Sequence, residues 1–417
     1  MGTDVKAIHQ RDADLRRRAE RVIPAGMYGH HSVVNMHLPP NFPQFLKEGN
    51  GAYIRDVDGN EYVDLLCSYG PIILGHRHPA VEEAARKQAA LGDCLDAPSP
   101  RVVELAELFT STVEHADWAV FAKNGTDATT GCLTIARAAT GRSVILAVRG
   151  SYHGAAPWCT PWPAGVLPQD RANMRYFDYN DAESFKAAVA EAGEEFAGVI
   201  ITPFKHIEGF DQELVDPEFA RLLRRTCDDC RALLILDDVR CGFRMHLGGS
   251  WEPIGVRPDL SAWSKAIANG YALAAIAGSE KYREVASTVF LTGSFWFAAV
   301  SMAAAIATIG ALRAEDAVAR MARAGDLLKT GVVAQAGAHD LAIHYTGHPT
   351  MPYITFEADT DYERMTTFGS AALNAGTYLA PRHNWFLNAA HSDDIINRVL
   401  ASTDRAFDAV RRAYGGD

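Results

Sequence analysis

Residues 233–239 read LLILDDV, four large apolar residues followed by two carboxylates and a valine. Large apolar residues without polar alternation are typical of a strand that is covered on both faces, as in a parallel sheet. Similar runs occur at 118–123 (WAVFAK), 143–148 (SVILAV) and 198–202 (GVIIT), and helical stretches separate them. Strands that alternate with helices in this way predict an α/β fold with a mostly parallel sheet.

The two ends of the chain follow other patterns. Residues 52–66 (AYIRDVDGNEYVDLL) alternate between apolar and polar on either side of the turn DGN, which predicts a β-hairpin. The last hundred residues combine helices with alternating segments such as PYITFEA, which is typical of a smaller α+β domain. We therefore expect an N-terminal segment and hairpin (1–70) that joins the small domain, a large domain (71–310), and a C-terminal small domain (311–417).

Composition limits the classes of function. The chain has 417 residues, 48% of them hydrophobic, and a formal charge of −11 without a basic stripe, so nucleic acid and anionic membrane are not expected partners. Seven cysteines, an odd number spread along the chain, argue against a disulfide framework and for a reducing compartment. The charged N-terminus resembles no signal peptide, and the longest apolar run (295–312) is rich in alanine, as in an interior or interface helix. We expect a cytoplasmic protein.

Lys265 lies among small and apolar neighbours in SAWSKAIANG (261–270), directly after a predicted strand. Most lysines are solvated surface charges, and Lys265 fits that interpretation when this segment is taken alone. A desolvated lysine loses its proton more easily, however, and can act as a nucleophile or form a Schiff base. The residues expected near Lys265 are needed to choose between a solvated surface lysine and a desolvated, reactive one.

The segment AKNGTDATTG (122–131) joins a strand to a helix. A helix N-terminus offers free N–H groups and the positive end of the helix dipole, which suit a phosphate. Gly125 would let the backbone approach the phosphate, and Thr126 would add a hydroxyl group. An ordinary Asn-Thr cap formed by Asn124 and Thr126 explains the same residues.

Two more strands end in chemically useful side chains, at the edge where an open parallel sheet binds its ligands. Asp237 ends a buried strand and could hold a proton on a heterocyclic nitrogen, since a buried carboxylate must be paired or neutralised. Tyr152 and His153 follow another strand and could lie flat against a ligand. Loop carboxylates and a structural Tyr-His pair are the alternatives.

The order of these features resembles that of class III aminotransferases, which are pyridoxal-phosphate enzymes of fold type I. The resemblance covers nearly the whole chain. It is carried by the motifs GNGAYIRDVDGNEYVD, GPIILGHRHP, KNGTDATTGCLTIARAATGR, SYHG, LLILDDVRCGFR, PDLSAWSKAIANGY and TGSFWFAAVSMAAAIATI. Within the class these segments are similar to the glutamate-1-semialdehyde aminomutase branch.

The resemblance implies a cofactor, pyridoxal 5′-phosphate, and the residues that bind it. These are Asn124, Gly125, Thr126, Tyr152, His153, Asp237, Val239, Lys265 and Ser294. Lys265 and Asp237 are the implied catalytic residues, because Lys265 would form the Schiff base and carry protons while Asp237 pairs with the pyridinium nitrogen. Tyr152 and Val239 would pack on opposite faces of the ring. Family members are homodimers with shared sites, and Ser294 occupies the position from which a neighbouring subunit reaches the phosphate.

Three departures argue against aminomutase activity. The loop at 24–43 lacks the arginine with which the aminomutases bind a substrate carboxylate, and 380–391 replaces a longer loop that contains a glutamate. Thr202 stands where most relatives have a glutamate. The motifs DDVRCGFR, TGSFWF and HNWFLNAAH resemble those of aminotransferases that deaminate hydrolysed fumonisin, an aliphatic aminopolyol. We therefore expect a transaminase that moves an amino group from a primary amine, such as a long-chain aminopolyol, to a small 2-oxo acid such as pyruvate. A glutamate-1-semialdehyde aminomutase or a β-amino-acid aminotransferase is the alternative.

Candidates for the substrate pocket are less specific. A movable Arg382 could bind the oxo-acid carboxylate, although Arg240, Lys205 and His383 are also available cations and Arg382 could be an ordinary surface residue. Plausible apolar walls are Tyr28, Tyr69, Trp158, Phe295 and Trp296, each of which could equally belong to the core. We expect no metal site, since the histidines occur in scattered contexts.

Overall fold

The computed structural model of the protein describes residues 10–415, so the prediction for the extreme N-terminus lies outside the described residues. The α-helices are α1 Gln10–Glu20, α2 Pro79–Ala89, α3 Arg101–Thr110, α4 Gly125–Thr140, α5 Ala182–Ala192, α6 Pro217–Cys230, α7 Arg283–Thr288, α8 Ala299–Ala314, α9 Ala317–Ala338, α10 Glu363–Asn374 and α11 Asp393–Tyr414. The strands are β1 Leu46–Asn50, β2 Tyr53–Asp56, β3 Glu61–Asp64, β4 Trp118–Ala122, β5 Val144–Val148, β6 Met174–Phe177, β7 Phe196–Ile201, β8 Phe204–Lys205, β9 Glu213–Leu214, β10 Leu233–Asp237, β11 Leu260–Trp263, β12 Ala274–Gly278, β13 Ile343–His348, β14 Met351–Phe356 and β15 Thr377–Tyr378.

The large sheet has seven strands in the order β4-β12-β11-β10-β7-β5-β6. Only β12 runs antiparallel to its neighbours, β11 and β4. The predicted α/β fold with a mostly parallel sheet is therefore confirmed. The edge strand β6 was not predicted, because MRYF contains an arginine and lacks the continuous apolar pattern of the inner strands.

Helices cover both faces of this sheet. Leu233 and Ile235 of β10 belong to the apolar cluster that includes α4, whereas Leu234 and Leu236 belong to the cluster that includes α5 and α6. Successive side chains of a strand point to opposite faces, so a strand between two helical layers must be apolar throughout. This explains the run LLIL, and it leaves the carboxylate that follows at the rim of the sheet.

The smaller sheet has the order β1-β2-β3-β15 and joins distant parts of the chain. The predicted hairpin is formed by β2 and β3, and Thr377 of β15 pairs in parallel with Val63 of β3. A separate hairpin consists of β13 and β14. The proposed division at residues 70 and 310 stays a prediction.

The alanine-rich run forms α8, of which Met302, Ala304 and Ile309 are fully buried. Within residues 10–415, no helix combines the length and apolar character needed to cross a membrane. Helix α8 instead packs against α2 and α3.

Three parallel strands bring the predicted site together. β4, β10 and β11 run in the same direction, so their carboxyl ends, at Ala122, Asp237 and Trp263, lie at one edge of the sheet. Helix α4 starts after the first, Asp237 ends the second, and Lys265 follows the third. This is the edge where ligands bind in open α/β sheets.

Candidate active site

Lys265 is desolvated and hydrogen-bonded at the start of a short 3-10 turn after β11. Its Nζ donates to the carbonyl oxygen of Tyr69 over 2.9 Å. Burial, reinforced by the positive charge of Arg240, lowers the pKa of Lys265 to about 7. Its backbone has a φ of 43°, a conformation that costs free energy for a residue with a side chain and that clusters at functional sites. The environment therefore favours the nucleophilic lysine over the solvated one.

The carbonyl that receives Lys265 belongs to an unusual left-handed turn. Residues 67–70 all have positive φ, between 49° and 110°. Arg244, which is fully buried, donates to the carbonyl oxygens of Gly70 at 2.6 Å and Ile72 at 3.1 Å. Because these bonds fix the turn, they also fix the position of the Tyr69 carbonyl beside the lysine.

Asp237 is held by two donors. Its Oδ2 accepts from Nδ1–H of His153 at 2.6 Å, and its Oδ1 accepts from the backbone N–H of Val239 at 3.1 Å. The His153 ring stacks on Trp158 with centroids 6.1 Å apart. Asp237 is thus an oriented, buried carboxylate that can pair with a protonated ring nitrogen.

The N-terminus of α4 is shaped for close approach. An added Cβ at Gly125 would lie 2.7 Å from Cγ1 of Val239, so only glycine leaves the present spacing intact. Asp127 turns back to accept from the backbone N–H of Asn124 at 2.9 Å, whereas Gly125 and Thr126 lie in the first turn, whose N–H groups have no partner inside the helix. These donors suit a phosphate.

These groups fit pyridoxal phosphate. The helix N-terminus would hold the phosphate, Asp237 the ring nitrogen, and Lys265 the aldehyde carbon, while Val239 and Gly125 form a narrow cradle between them. The Nε2 atom of His153 is buried without a partner among the described residues.

Several of the other candidates are exposed, but Tyr152 lies near the site, since the charges of Arg240 and Asp237 act alongside burial on its pKa. Tyr152 is 45% exposed, and Tyr28 and Phe295 are 71% and 66% exposed. Ser294 is also exposed, and Trp296 packs with Trp158 against the cluster under α4. Among residues 10–415, no hydrogen bond or ring contact joins Tyr28, Ser294 or Phe295 to Lys265.

Arg382 has its own partner. Its guanidinium lies over the ring of Tyr362, 4.4 Å from the centroid, and its charge lowers the pKa of the neighbouring Glu208, although burial raises that pKa overall. Its carbonyl oxygen accepts from the backbone N–H of Gly209 at 2.8 Å. The role predicted for Arg382 stays a prediction.

A group of histidines beside Tyr69 was not predicted from the sequence as a unit. His30 lies 4.9 Å and His383 5.1 Å from Tyr69 between ring centroids, and His206 lies 4.6 Å from His383. These three rings and His31, whose ring is tilted against that of His30 with the centroids 4.3 Å apart, form what we call the histidine wall. Only the dipeptide His30-His31 marks the wall in the sequence, because the other two members come from distant loops.

The structure also assigns a role to Arg244, which sequence reasoning missed. The end of the motif DDVRCGFR was its only signal, and a lone arginine gives no hint that it binds the left-handed turn.

Comparisons with known proteins point to one enzyme family. The family description "Aminotransferase class-III" matches residues 37–392. The chain is 48% identical to an aminopentol aminotransferase of Sphingopyxis macrogoltabida over 97% of this chain and 95% of that protein. It is 33% identical to a glutamate-1-semialdehyde 2,1-aminomutase of Roseiflexus castenholzii over 97% of this chain and 98% of that protein. A solved structure, the PLP internal aldimine form of the FumI protein of Sphingopyxis sp. MTA144, superposes with a TM-score of 0.95 at 47% identity, covering 97% of this chain and 98% of that one.

Proposed function

The chain belongs to the class III aminotransferases and uses pyridoxal phosphate, and we propose that it moves the amino group of a hydroxylated long-chain primary amine to a small 2-oxo acid such as pyruvate. The similarity to an aminopentol aminotransferase supports an amine that carries hydroxyl groups. The acceptor follows from the reaction class, because a transaminase must pass its amino group to a carbonyl compound.

The histidine wall is the observation that carries the choice of amine. Burial lowers the pKa of His30 to about 4, and burial together with neighbouring charges lowers the pKa values of His206 and His383 well below the usual 6.5. All three imidazoles are therefore neutral at pH 7. A neutral imidazole has one donor and one acceptor, which suits a hydroxyl group and gives a carboxylate no countercharge.

His206 offers the clearest hydroxyl-binding group. Both of its ring nitrogens are buried and have no hydrogen-bond partner among residues 10–415. Buried polar atoms without partners cost free energy, so a ligand hydroxyl that reached them would be favoured over a methylene. The loop at 24–43, which contains no arginine, contributes His30 to the wall.

Lys265 and Asp237 would have different roles in the reaction. Bound pyridoxal phosphate supplies an electron sink that makes the Cα proton of the substrate acidic. Lys265 would hold the cofactor and, once displaced by the substrate amine, would take that proton, since its lowered pKa leaves about half of the population neutral near pH 7. Asp237, fixed by His153, would hold the proton on the ring nitrogen.

We also propose that the protein is a homodimer with shared sites. Ser294 is exposed in the protomer and lies next to exposed aromatic side chains, Phe290 at 91% and Phe295 at 66%. Aromatic groups left in water on this scale are typical of a surface that another chain covers. The cytoplasm is the proposed location, supported by seven cysteines that are all free thiols.

The test is a balance of products. Purified enzyme is incubated with an aminopentol-type amine and pyruvate, and alanine and the carbonyl product are quantified together. We expect one alanine for each amine consumed, with slower turnover of an unhydroxylated amine of equal length. Isomerisation of glutamate-1-semialdehyde that outpaced every amine would reject the proposal and favour the aminomutase.

A further inference from the structure

Arg240 is an arginine in the active site whose hydrogen-bond partners are all neutral. Its Nη1 donates to Nε2 of His383 at 3.2 Å and to Oδ1 of Asn384 at 2.5 Å. We infer that Arg240 binds the carboxylate of the 2-oxo acid acceptor, an inference that rests on the function proposed above. From the sequence, Arg382 is the first candidate for this task, with Arg240, Lys205 and His383 as the alternatives.

The two partners are arranged to hold a guanidinium without neutralising it. Nδ1–H of His383 donates to the Asn384 carbonyl at 2.8 Å, which leaves Nε2 as an acceptor. The Asn384 amide nitrogen donates to the Trp385 carbonyl at 2.7 Å, which directs its Oδ1 toward Arg240. The clamp fixes one edge of the guanidinium and adds no negative charge.

No carboxylate among residues 10–415 forms an ion pair with Arg240. Asp237, the carboxylate that acts on the pKa of Arg240, already accepts from His153 and from the Val239 backbone. A desolvated charge without a counter-ion is costly, and arginine is suited to bind a carboxylate through two parallel hydrogen bonds. The remaining N–H groups of this part-buried side chain are therefore free for an anionic ligand.

The position of Arg240 fits a substrate carboxylate. Burial lowers the pKa of Arg240, and the charge of the nearby Asp237 carboxylate acts against that effect. Its own charge is the largest electrostatic contribution at Lys265 after burial. A carboxylate bound here would lie beside the lysine that reacts, with its carbonyl carbon near the point of chemistry.

Arg382 also has a buried Nε without a hydrogen-bond partner among residues 10–415, so it differs from Arg240 in its surroundings. Its guanidinium stacks on Tyr362, and a carboxylate, Glu208, lies close enough to feel its charge.

The experiment compares two acceptors of equal length, pyruvate and propanal, on the amine-loaded holoenzyme. Arg240→Gln should lower the ratio of kcat/KM for pyruvate over propanal by about 10- to 100-fold, the loss expected for charge-assisted hydrogen bonds. For Arg240→Lys this ratio should lie between those of the wild type and Arg240→Gln, because an ammonium keeps the charge but cannot form the bidentate pair. The matched control is Arg257→Gln, since the Arg257 side chain is 64% exposed, and this variant should keep the wild-type ratio.

A binding measurement separates recognition from catalysis. Acetate titrated calorimetrically into the holoenzyme should bind to the wild type and Arg257→Gln about 10-fold or more tightly than to Arg240→Gln. Equal losses for both acceptors would make Arg240 a cofactor or scaffold residue and overturn the inference, as would the same selective loss in Arg382→Gln alone. A wild type that transaminates pyruvate while Arg240→Gln keeps the ratio refutes only this inference. A wild type that uses no 2-oxo acid refutes the proposed function as well.

Discussion

His153 donates through Nδ1 to Asp237 over 2.6 Å, and both side chains are at most 5% exposed. The pair connects the loop after β5 to the end of β10, which are separated by 84 residues. It fixes the direction in which the Asp237 carboxylate points.

We expect His153→Phe to keep the protein folded and slow its chemistry. Phenylalanine retains a ring against Trp158 but cannot donate to Asp237, so the carboxylate loses its orienting partner. The transamination rate should fall about 10- to 100-fold, as for other orienting partners. Unchanged kcat with an unchanged cofactor spectrum would show that His153 does not position Asp237.

Lys265→Ala should bind cofactor without a covalent link. Borohydride reduction should then fix no cofactor to the protein, and transamination should be lost because no lysine remains to move the proton. Lys186→Ala, at a 56% exposed lysine, is the control and should behave as the wild type. Covalent cofactor recovered from the Lys265→Ala protein would mean that another lysine reacts.

The rate of cofactor incorporation should depend on pH near neutrality. Only the neutral amine attacks the aldehyde, and the pKa of Lys265 is lowered from 10.5 to about 7, so the rate should rise with pH and level off above about 7. In Arg240→Gln the midpoint should move to higher pH, because a neighbouring positive charge is lost. Stopped-flow absorbance measures both midpoints, and a wild-type midpoint near 10 would contradict a desolvated lysine.

Gly125→Ala should weaken cofactor binding through a contact that a second substitution relieves. The new Cβ would lie 2.7 Å from Cγ1 of Val239, an overpacking that costs about 1–3 kcal/mol. The dissociation constant for pyridoxal phosphate should rise, and Gly125→Ala combined with Val239→Ala should recover most of the loss. Equal affinities in the single and double variants would show that the contact is not the cause.

His206→Leu should change selectivity among amines. It removes the two unpartnered nitrogens while preserving volume, so kcat/KM for a hydroxylated amine should fall about 10-fold relative to the unhydroxylated amine of equal length. Activity with the plain amine serves as the internal control. A parallel fall for both substrates would place His206 in the scaffold.

The fold was largely predictable because its inner strands are continuous apolar segments in the sequence. LLIL, SVILAV and GVIIT are apolar on both faces, and only a strand between two helical layers needs that pattern. The edge strand β6 escaped because its outer positions face water and tolerate Arg175. Lys265, Asp237 and Gly125 were found because each directly follows or ends such a strand, where sheet topology dictates position.

The contacts on the substrate side of the site could not be predicted from the sequence, for a physical reason. The histidine wall and the Arg240 clamp join loops that are distant in the chain, as Arg240 and His383 are separated by 143 residues. No local pattern records such contacts, and neutral histidines look like any others until their burial is known. The left-handed turn at 67–70 could not be predicted either. Positive φ is expected mainly at glycine, and three of its four residues are not glycine.

The most direct test follows the visible absorption spectrum of the purified holoenzyme while substrates are added separately. We expect the yellow cofactor band to bleach with a hydroxylated long-chain primary amine and to return with pyruvate, without any second enzyme. If the absorbance of this band did not change with such amines and changed only with glutamate-1-semialdehyde or the related diamino acid, the result would contradict the proposed amine transaminase.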